Sequence, residues 1–174
     1  GIKTDTYDTL GLSNLSNLDV GRPNEREIEQ VMQRLKGKRV QKYPPYSSKP
    51  VNGKPLFSIA RAGNIEDVEI PEKEIEIFSL NILSEKKITG AKLLETIIER
   101  INKVKGDFRQ EEIKKRWNVV LADKPNVEFL ITKMIAKVSS GTYIRSIANE
   151  LGETLKCGAC AYSIKRTQIG EYKI

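Results

Sequence analysis

The chain has 174 residues, with 30 Lys and Arg against 23 Asp and Glu, so its net charge is +7. The length suits one domain with a buried core, and a hydrophobic share of 39% is typical of a soluble globular protein. Two cysteines and no histidine exclude a disulfide scaffold, and the lack of a long apolar run excludes a membrane-spanning helix, which together predict a cytoplasmic protein. The excess of positive charge favours a polyanionic partner, although a basic protein without such a partner has the same composition.

The first part of the chain, Thr4 to Asn17, is rich in residues that favour turns. The sequence begins on Gly1 rather than on Met, and we therefore expect a fragment of a longer chain. A helix is predicted from Pro23, because Asn24 is a good N-cap and acidic residues fill the first turn. The helix ends at Gly37. Its apolar face consists of Ile28, Val31, Met32 and Leu35.

The next segment, residues 40–63, is a proline-rich basic loop, which we call the clamp loop. Its prolines restrict φ and lower the entropy lost on binding. Tyr43, Tyr46 and Phe57 offer ring faces for stacking on unpaired bases, and the cations in and beside the loop offer charge for phosphates. In the alternative interpretation, Tyr46 and Phe57 belong to the core and the cations form a solvated rim. The cations are Lys38, Arg39, Lys42, Lys49, Lys54 and Arg61.

The remaining elements follow from apolar spacing. Lys54 to Ala62 predicts a short helix, and the alternation of Glu with Ile or Phe from Glu72 to Ile82 predicts a half-buried strand. Helices and strands do not alternate regularly, so an α+β fold is favoured over a doubly wound one. The later predicted elements are helices at Thr89 to Lys103, with Thr89 as cap, at Gln110 to Val120 and at Gly141 to Leu155, and strands at Val127 to Val138 and Ala159 to Ile169.

The segment around Arg145 predicts an exposed helix N-terminus, with Ser140 or Thr142 as the cap. A cation near this end of a helix is poorly placed for the helix dipole. Arg145 therefore indicates a carboxylate or phosphate partner. The alternative is a surface Arg paired with Glu150 or another acid.

Three further groups admit a plainer interpretation. Cys157 and Cys160 form a CxxC, but no second CxxC or His accompanies them, so a turn with two packed thiols is favoured over a redox or metal site. Lys165 and Arg166 lie in the last predicted strand, either as an RNA-facing basic edge or as protection of an edge strand. The carboxylates between Thr4 and Asp8 are assigned to turns and not to catalysis.

Four segments resemble the TruB family of tRNA pseudouridine synthases, which is related to the dyskerin group. They match in order and approximate spacing and extend over nearly all of the chain outside residues 86–126. The segments are GIKTDTYDTLG at residues 1–11, PPYSSKPVNGKPLFSIARAG at 44–63, SGTYIRSIANELG at 140–152 and IKRTQIGEY at 164–172.

The resemblance implies isomerisation of a flipped-out uridine to pseudouridine without a cofactor or metal, on the T-loop of tRNA at position 55. It implies a mixed, largely antiparallel sheet flanked by helices. Arg145 would hold a nucleophilic Asp, with Tyr143 beside the pocket and Ile164 as an apolar wall. The partner would be the tRNA T-stem-loop, bound by a monomer. The residues expected to bind RNA are Lys42, Tyr46, Lys49, Lys54, Arg61, Thr142, Lys165 and Arg166.

The sequence also departs from the family pattern. It contains no GxLDPxATG segment, which carries the family's nucleophilic Asp. It also lacks the family's Tyr that stacks on the flipped base, and it lacks a PUA-type domain. We therefore expect Arg145 to lack its carboxylate partner within this partial catalytic domain, and the chain alone to be inactive. The alternative is a non-catalytic RNA-binding module or tRNA chaperone.

Two local departures concern the surface. Residues 86–126 are longer than the family pattern and predict a helical insertion, which either contacts RNA or only packs against the domain. Pro50 stands where the pattern leads us to expect Lys or another residue, which affects the shape of the clamp loop. The cations of the insertion that would contact RNA are Lys103, Lys105, Lys114, Lys115 and Arg116.

Overall fold

The computed structural model describes residues 1–15, 21 and 23–174. Its helices are α1 (Glu25–Leu35), α2 (Leu56–Arg61), α3 (Gly90–Asn102), α4 (Gln110–Leu121) and α5 (Ile144–Thr154), with a short 3₁₀ turn at Ile65–Asp67. The strands are β1 (Ile2–Thr4), β2 (Ser13–Leu15), β3 (Gly37–Lys42), β4 (Pro50–Val51), β5 (Lys54–Pro55), β6 (Glu72–Thr89), β7 (Glu128–Val138), β8 (Gln168–Ile169) and β9 (Tyr172–Lys173).

The central feature is a three-stranded sheet in the order β3–β6–β7, with every neighbour antiparallel. The helices α1 and α5 pack on one face of it, and their apolar residues share a core with the inward residues of β6. The expected α+β fold with an antiparallel sheet and flanking helices is therefore confirmed. The buried residues of this core are Ile28, Val31, Met32, Leu35, Ile75, Ile77, Leu80, Ile147 and Leu151.

A second core lies at the far end of the β6–β7 hairpin. The last paired residues of the hairpin are Thr89 and Glu128, so residues 90–127 form the connection and contain α3 and α4. Trp117 of α4 is buried in this core, together with residues of α3 and Ile2 of β1. Residues 86–89 belong to β6, so the start predicted for the helical insertion is corrected, and the helical insertion is residues 90–127.

Several predicted elements are confirmed with small changes of boundary. In α1 the Asn24 side chain accepts a hydrogen bond from the Glu27 N–H at 3.0 Å, and the Glu27 carboxylate accepts one from the Asn24 N–H. Thr89 caps α3 as expected. The short helix in the clamp loop starts at Leu56 because residues 50–55 form a small hairpin first. The strand predicted to end at Ile82 continues to Thr89.

Other predictions are wrong. The strand β3 was not predicted, and it forms because β6 satisfies its backbone hydrogen bonds. The strand predicted at Ala159 to Ile169 is absent over residues 163–167, which lie exposed without sheet pairing. Lys165 and Arg166 are therefore outside any strand. The turns predicted from Thr4 contain a hairpin of β1 and β2, and their last two residues, 16–17, lie outside the described residues.

Candidate functional site

The start of α5 is held by the sheet rather than by a side-chain cap. Gln41 lies buried on β3, where its Oε1 accepts a hydrogen bond from the Tyr143 N–H at 2.8 Å and its Nε2 donates to the Tyr143 carbonyl at 3.3 Å. The helix begins at Ile144, because the preceding residue, Tyr143, is extended, with φ −91° and ψ 104°. The prediction that Ser140 or Thr142 caps α5 is wrong. Thr142 instead donates from its hydroxyl to the Ser139 carbonyl at 2.8 Å.

Arg145, in the first turn of α5, is held by two partners. Its Nη1 pairs with Asp8 Oδ2 at 3.1 Å, and its Nη2 donates to the Tyr46 carbonyl at 2.8 Å. Both charged side chains are about one-fifth exposed, at 21% and 22%. The expectation that Arg145 lacks a carboxylate within this chain is therefore wrong. The alternative partner Glu150 pairs with Arg39 instead.

Asp8 is itself fixed by the turn that follows β1. Its Oδ1 accepts hydrogen bonds from the Thr6 hydroxyl at 2.8 Å and from the Leu10 N–H at 3.0 Å. Backbone bonds between this turn and Ala161 hold it against the chain that follows α5. The turn assigned to Asp8 from the sequence is confirmed, but the pairing with Arg145 was missed. A Thr/Asp-rich turn has the same local composition whether or not an arginine packs on it.

The guanidinium of Arg145 retains capacity for a further acceptor. It has five N–H donors, and its Nε is buried without a hydrogen-bond partner among the described residues. The hydroxyls of Ser47 and Ser146 are likewise buried and unpaired there. Buried polar groups are normally satisfied, so an additional acceptor at the Arg145 Nε would lower the free energy. The arrangement is suited to binding a second carboxylate or another anion.

Aromatic rings surround this cluster. Tyr143 meets Tyr43 edge to face, with ring centres 5.7 Å apart, and the Arg145 guanidinium carbon lies 5.7 Å from the Tyr143 ring centre. The structure thus brings together Arg145 and Tyr143, two of the three residues expected in the pocket. The third, Ile164, is 53% exposed on the segment after Tyr162.

A second ion pair lies against the ring of Tyr46. The Arg109 guanidinium carbon lies 4.4 Å from the Tyr46 ring centre, and Arg109 Nη1 pairs with Asp5 Oδ2 at 2.9 Å. Burial, followed by the nearby Asp5 carboxylate, raises the pKa of Tyr46 to about 12. Tyr46 is thus a half-buried packing residue, which agrees with the alternative interpretation of that ring. Phe57 in contrast is 38% exposed. Arg109 and Asp5 were not predicted as site residues.

The cations expected to bind RNA occupy separate positions. Lys42 ends β3 and lies 3.9 Å from Glu72, Lys49 sits over the Tyr43 ring at 5.2 Å, and Lys54 is exposed on the small hairpin of the clamp loop. Arg61 is exposed at the end of α2 and donates to the Asp107 carbonyl at 3.0 Å. The remaining two, Lys165 and Arg166, are exposed on the segment after Tyr162.

The two cysteines form no metal or disulfide site in the structure. Both thiols are free, and burial raises the pKa of Cys157 and raises that of Cys160 to about 12. Within residues 1–15, 21 and 23–174, no cluster of three His, Cys, Asp or Glu side chains is arranged to hold a metal ion. The burial of the cysteines agrees with the packed-thiol interpretation.

Every helix of the described part is too short or too polar to traverse a bilayer.

Comparison with known proteins gives two findings. The model of the N-terminal domain of TruB family pseudouridylate synthases matches residues 1–89, about half of the chain. Over 174 residues the chain is 28% identical to proteins named tRNA pseudouridine synthase B from Francisella tularensis subsp. tularensis, Francisella philomiragia and Francisella tularensis subsp. novicida. Each alignment covers the whole chain and 43% of the relative, so the chain spans less than half the length of these curated relatives.

Proposed function

Because the chain belongs to the TruB family of pseudouridylate synthases, we propose that its Arg145 site serves the conversion of a uridine in tRNA to pseudouridine. The relatives' shared name, tRNA pseudouridine synthase B, supports tRNA as the substrate class. The segment that matches the family model supplies Asp8 and Tyr46, the two groups that hold Arg145. This arrangement is the observation that carries the proposal.

In the proposed reaction the target base leaves the stacked loop and enters the pocket beside Arg145. A carboxylate outside this sequence bonds to C1′ of the ribose as the glycosidic C1′–N1 bond breaks. C5 of the reoriented base then bonds to C1′ and displaces the carboxylate, and the C5 proton leaves while N1 gains a proton, so no cofactor is needed. The buried and unpaired Nε of Arg145 supports the docking of that carboxylate, because a charge-assisted hydrogen bond in a half-buried site is strong. Asp8 keeps the guanidinium neutralised and oriented before the carboxylate arrives.

We further propose that the clamp loop binds the tRNA T-stem-loop, with the T-loop uridine as target. Lys49 precedes the small hairpin, Lys54 lies on it and Arg61 ends the helix that follows, so their charges lie along one continuous segment. Charge contacts of this kind supply affinity, and exposed rings such as Phe57 supply stacking. Lys42, Thr142, Lys165 and Arg166 are proposed to add contacts from neighbouring segments. The protein is proposed to act as a monomer in the cytoplasm.

The test measures pseudouridine in tRNA transcripts, by release of tritium from C5-labelled uridine, with the whole protein that carries this chain. We expect release from a wild-type transcript and none from a transcript whose T-loop uridine is replaced by cytidine. Release from both transcripts would contradict the T-loop target, and release from neither would contradict the enzyme. RNA binding without release would favour a non-catalytic RNA-binding module.

A second experiment uses the 174-residue chain alone. Its sequence contains no GxLDPxATG segment, so we expect it to bind the T-stem-loop weakly and to release no tritium. Turnover by the chain alone would mean that an acid within it, such as Asp8, acts as the nucleophile. That result would overturn the proposed role of a carboxylate outside this sequence.

A further inference from the structure

The helical insertion is far larger than its position in the sheet requires. β6 and β7 are antiparallel neighbours, which a turn of two to five residues can join. Residues 90–127 stand there instead, and α3 and α4 build their own buried core around Trp117. A compact two-helix unit at this place is a folded element, and its contacts with the rest of the molecule indicate what it does.

The insertion is fixed to the segment that carries the two aspartates of the site. Trp117 Nε1 donates to the Gly11 carbonyl at 3.1 Å, and Arg116 Nε donates to the Ser13 carbonyl at 2.7 Å. Both bonds run from α4 to the backbone just after Asp5 and Asp8. The second half of α4 is thereby held against the segment that follows these acids.

Arg109 precedes α4 and reaches the site directly. Its pair with Asp5 is only 17% and 29% exposed, and the other Asp5 oxygen accepts the Leu12 N–H at 2.7 Å, so the acid is held in place. The backbone of Arg109 has a φ of 61°, a left-handed conformation that costs roughly 1–2 kcal/mol for a residue with a side chain. Such a conformation persists only where surrounding contacts determine it. Here the Arg109 N–H donates to Asp107 Oδ1 at 3.4 Å, the Arg109 carbonyl accepts the Ile113 N–H at 3.0 Å, and the side chain contacts Asp5 and Tyr46.

Tyr46 connects the insertion to Arg145. Its ring lies 4.4 Å from the guanidinium carbon of Arg109, and its backbone carbonyl accepts a hydrogen bond from Arg145 at 2.8 Å. The ring and the carbonyl belong to one short turn, whose next residue, Ser47, accepts the Phe57 N–H at 3.0 Å. A displacement of the ring therefore displaces the carbonyl that orients Arg145.

We propose that Arg109 is a positioning residue: the helical insertion uses it to hold the Tyr46 turn, and through that turn it orients the Arg145 guanidinium for catalysis. This inference rests on the proposed function of the Arg145 site. The insertion acts through protein contacts and not as an RNA-binding surface. Its effect is thus expected on the rate of the chemical step and not on the affinity for tRNA.

The experiment compares Arg109→Gln with Arg100→Gln in the whole protein. Arg100 is a matched control, because it also belongs to the insertion, stacks on a tyrosine ring (Tyr162, at 4.0 Å) and donates to a backbone carbonyl. We expect Arg109→Gln to lower the single-turnover rate of pseudouridine formation roughly 10- to 100-fold, with the Kd for tRNA changed by less than about threefold. Arg100→Gln is expected to stay within about threefold of wild type in both quantities.

A conservative variant and a second readout keep the inference testable if Arg109→Gln folds poorly. Arg109→Lys retains the charge that faces Asp5 but lacks the planar group over Tyr46, so its rate should fall between wild type and Arg109→Gln. Hydrogen–deuterium exchange of residues 43–49 should rise in Arg109→Gln and Arg109→Lys but not in Arg100→Gln. This readout does not depend on turnover.

The outcomes separate the two proposals. A wild-type protein that forms no pseudouridine would refute the proposed function, and exchange at residues 43–49 would then decide whether Arg109 holds the turn. If wild type is active and Arg109→Gln matches Arg100→Gln in rate and exchange, Arg109 positions nothing and the inference is overturned. A loss confined to tRNA affinity would assign Arg109 to RNA contact and also overturn it.

Discussion

Two arginine–aspartate pairs meet at Tyr46, and they come from differently organised parts of the chain. Arg145 and Asp8 lie in the segments that resemble the TruB family, and Arg145 binds the Tyr46 carbonyl. Arg109 belongs to the helical insertion, and it pairs with Asp5 and covers the Tyr46 ring. The first pair leaves the buried Arg145 Nε without a hydrogen-bond partner among the described residues, whereas the second is proposed to hold the Tyr46 turn. The same kind of ion pair is thus proposed to serve an anion site in one place and support in the other.

The largest effect is expected from Arg145→Ala in the whole protein, because the guanidinium is proposed to contact the nucleophilic carboxylate. The rate of pseudouridine formation should fall at least about 100-fold while tRNA affinity stays within about threefold. Arg39→Gln is the control, since Arg39 pairs with Glu150 of the same helix away from the pocket. If Arg145→Ala instead loses tRNA binding but keeps its rate at saturating tRNA, Arg145 contacts a phosphate. The proposed catalytic difference between the Arg145–Asp8 and Arg109–Asp5 pairs would then be wrong.

A smaller effect is expected from Asp8→Asn, which removes the charge but keeps an oxygen for the Thr6 hydroxyl and the Leu10 N–H. The rate should fall roughly tenfold, because the amide nitrogen then faces Arg145 Nη1 and cannot accept its charge-assisted hydrogen bond. Single-turnover kinetics at saturating tRNA measure this change. An unchanged rate would show that the Tyr46 carbonyl alone positions Arg145.

The clamp loop offers a test in which binding, not catalysis, should change. Lys54→Ala should weaken tRNA binding about threefold and reduce the slope of log Kd against log salt by about 0.7–0.9, the loss of one phosphate contact. Lys92→Ala is the control, because Lys92 is exposed on α3 and pairs with Glu95. Equal salt slopes in the two variants would remove Lys54 from the RNA surface.

The smallest effect is expected on the free energy of unfolding, through the titration of the Tyr46 hydroxyl. Burial and the Asp5 carboxylate raise the pKa of Tyr46 from its ordinary value of 10.0 to about 12 in the folded protein. The stability linked to this raised pKa is complete below pH 10 and is lost as the pH rises towards 12. The free energy of unfolding of wild type should therefore fall relative to that of Tyr46→Phe across this window. Parallel curves from chemical denaturation would mean that the Tyr46 hydroxyl is neither buried nor faced by Asp5.

Local signals in the sequence predicted much of the framework. Asn24 and Glu27 are a capping pair three residues apart, and apolar spacing on α1, α3 and α5 marked the faces that are buried. The motif around Arg145 directed attention to the residue that the structure places at the centre of the site. Each of these features depends on residues within one or two helical turns, so sequence alone suffices.

Contacts between distant segments were not predictable in this way. Gln41 holds the start of α5 across more than 100 residues, and its neighbours Val40 and Lys42 carry no sign of that role. Asp8 was assigned to a turn correctly, yet its second oxygen pairs with Arg145 from the far end of the chain. The strand expected after Ala159 failed because backbone hydrogen bonds need a partner strand, which periodicity does not reveal.

The amino-acid sequence by itself determined the helices, the long strands and the family resemblance, and it singled out Arg145 as a candidate, because these features reside in short patterns. Only the tertiary structure decided that Arg145 already has a carboxylate partner, that the Tyr46 ring contacts Arg109 while its carbonyl binds Arg145, and that Arg109 reaches the site. The physical reason is that an ion pair or a stacked ring is defined by distances between side chains. Those distances are set by the packing of segments far apart in the chain.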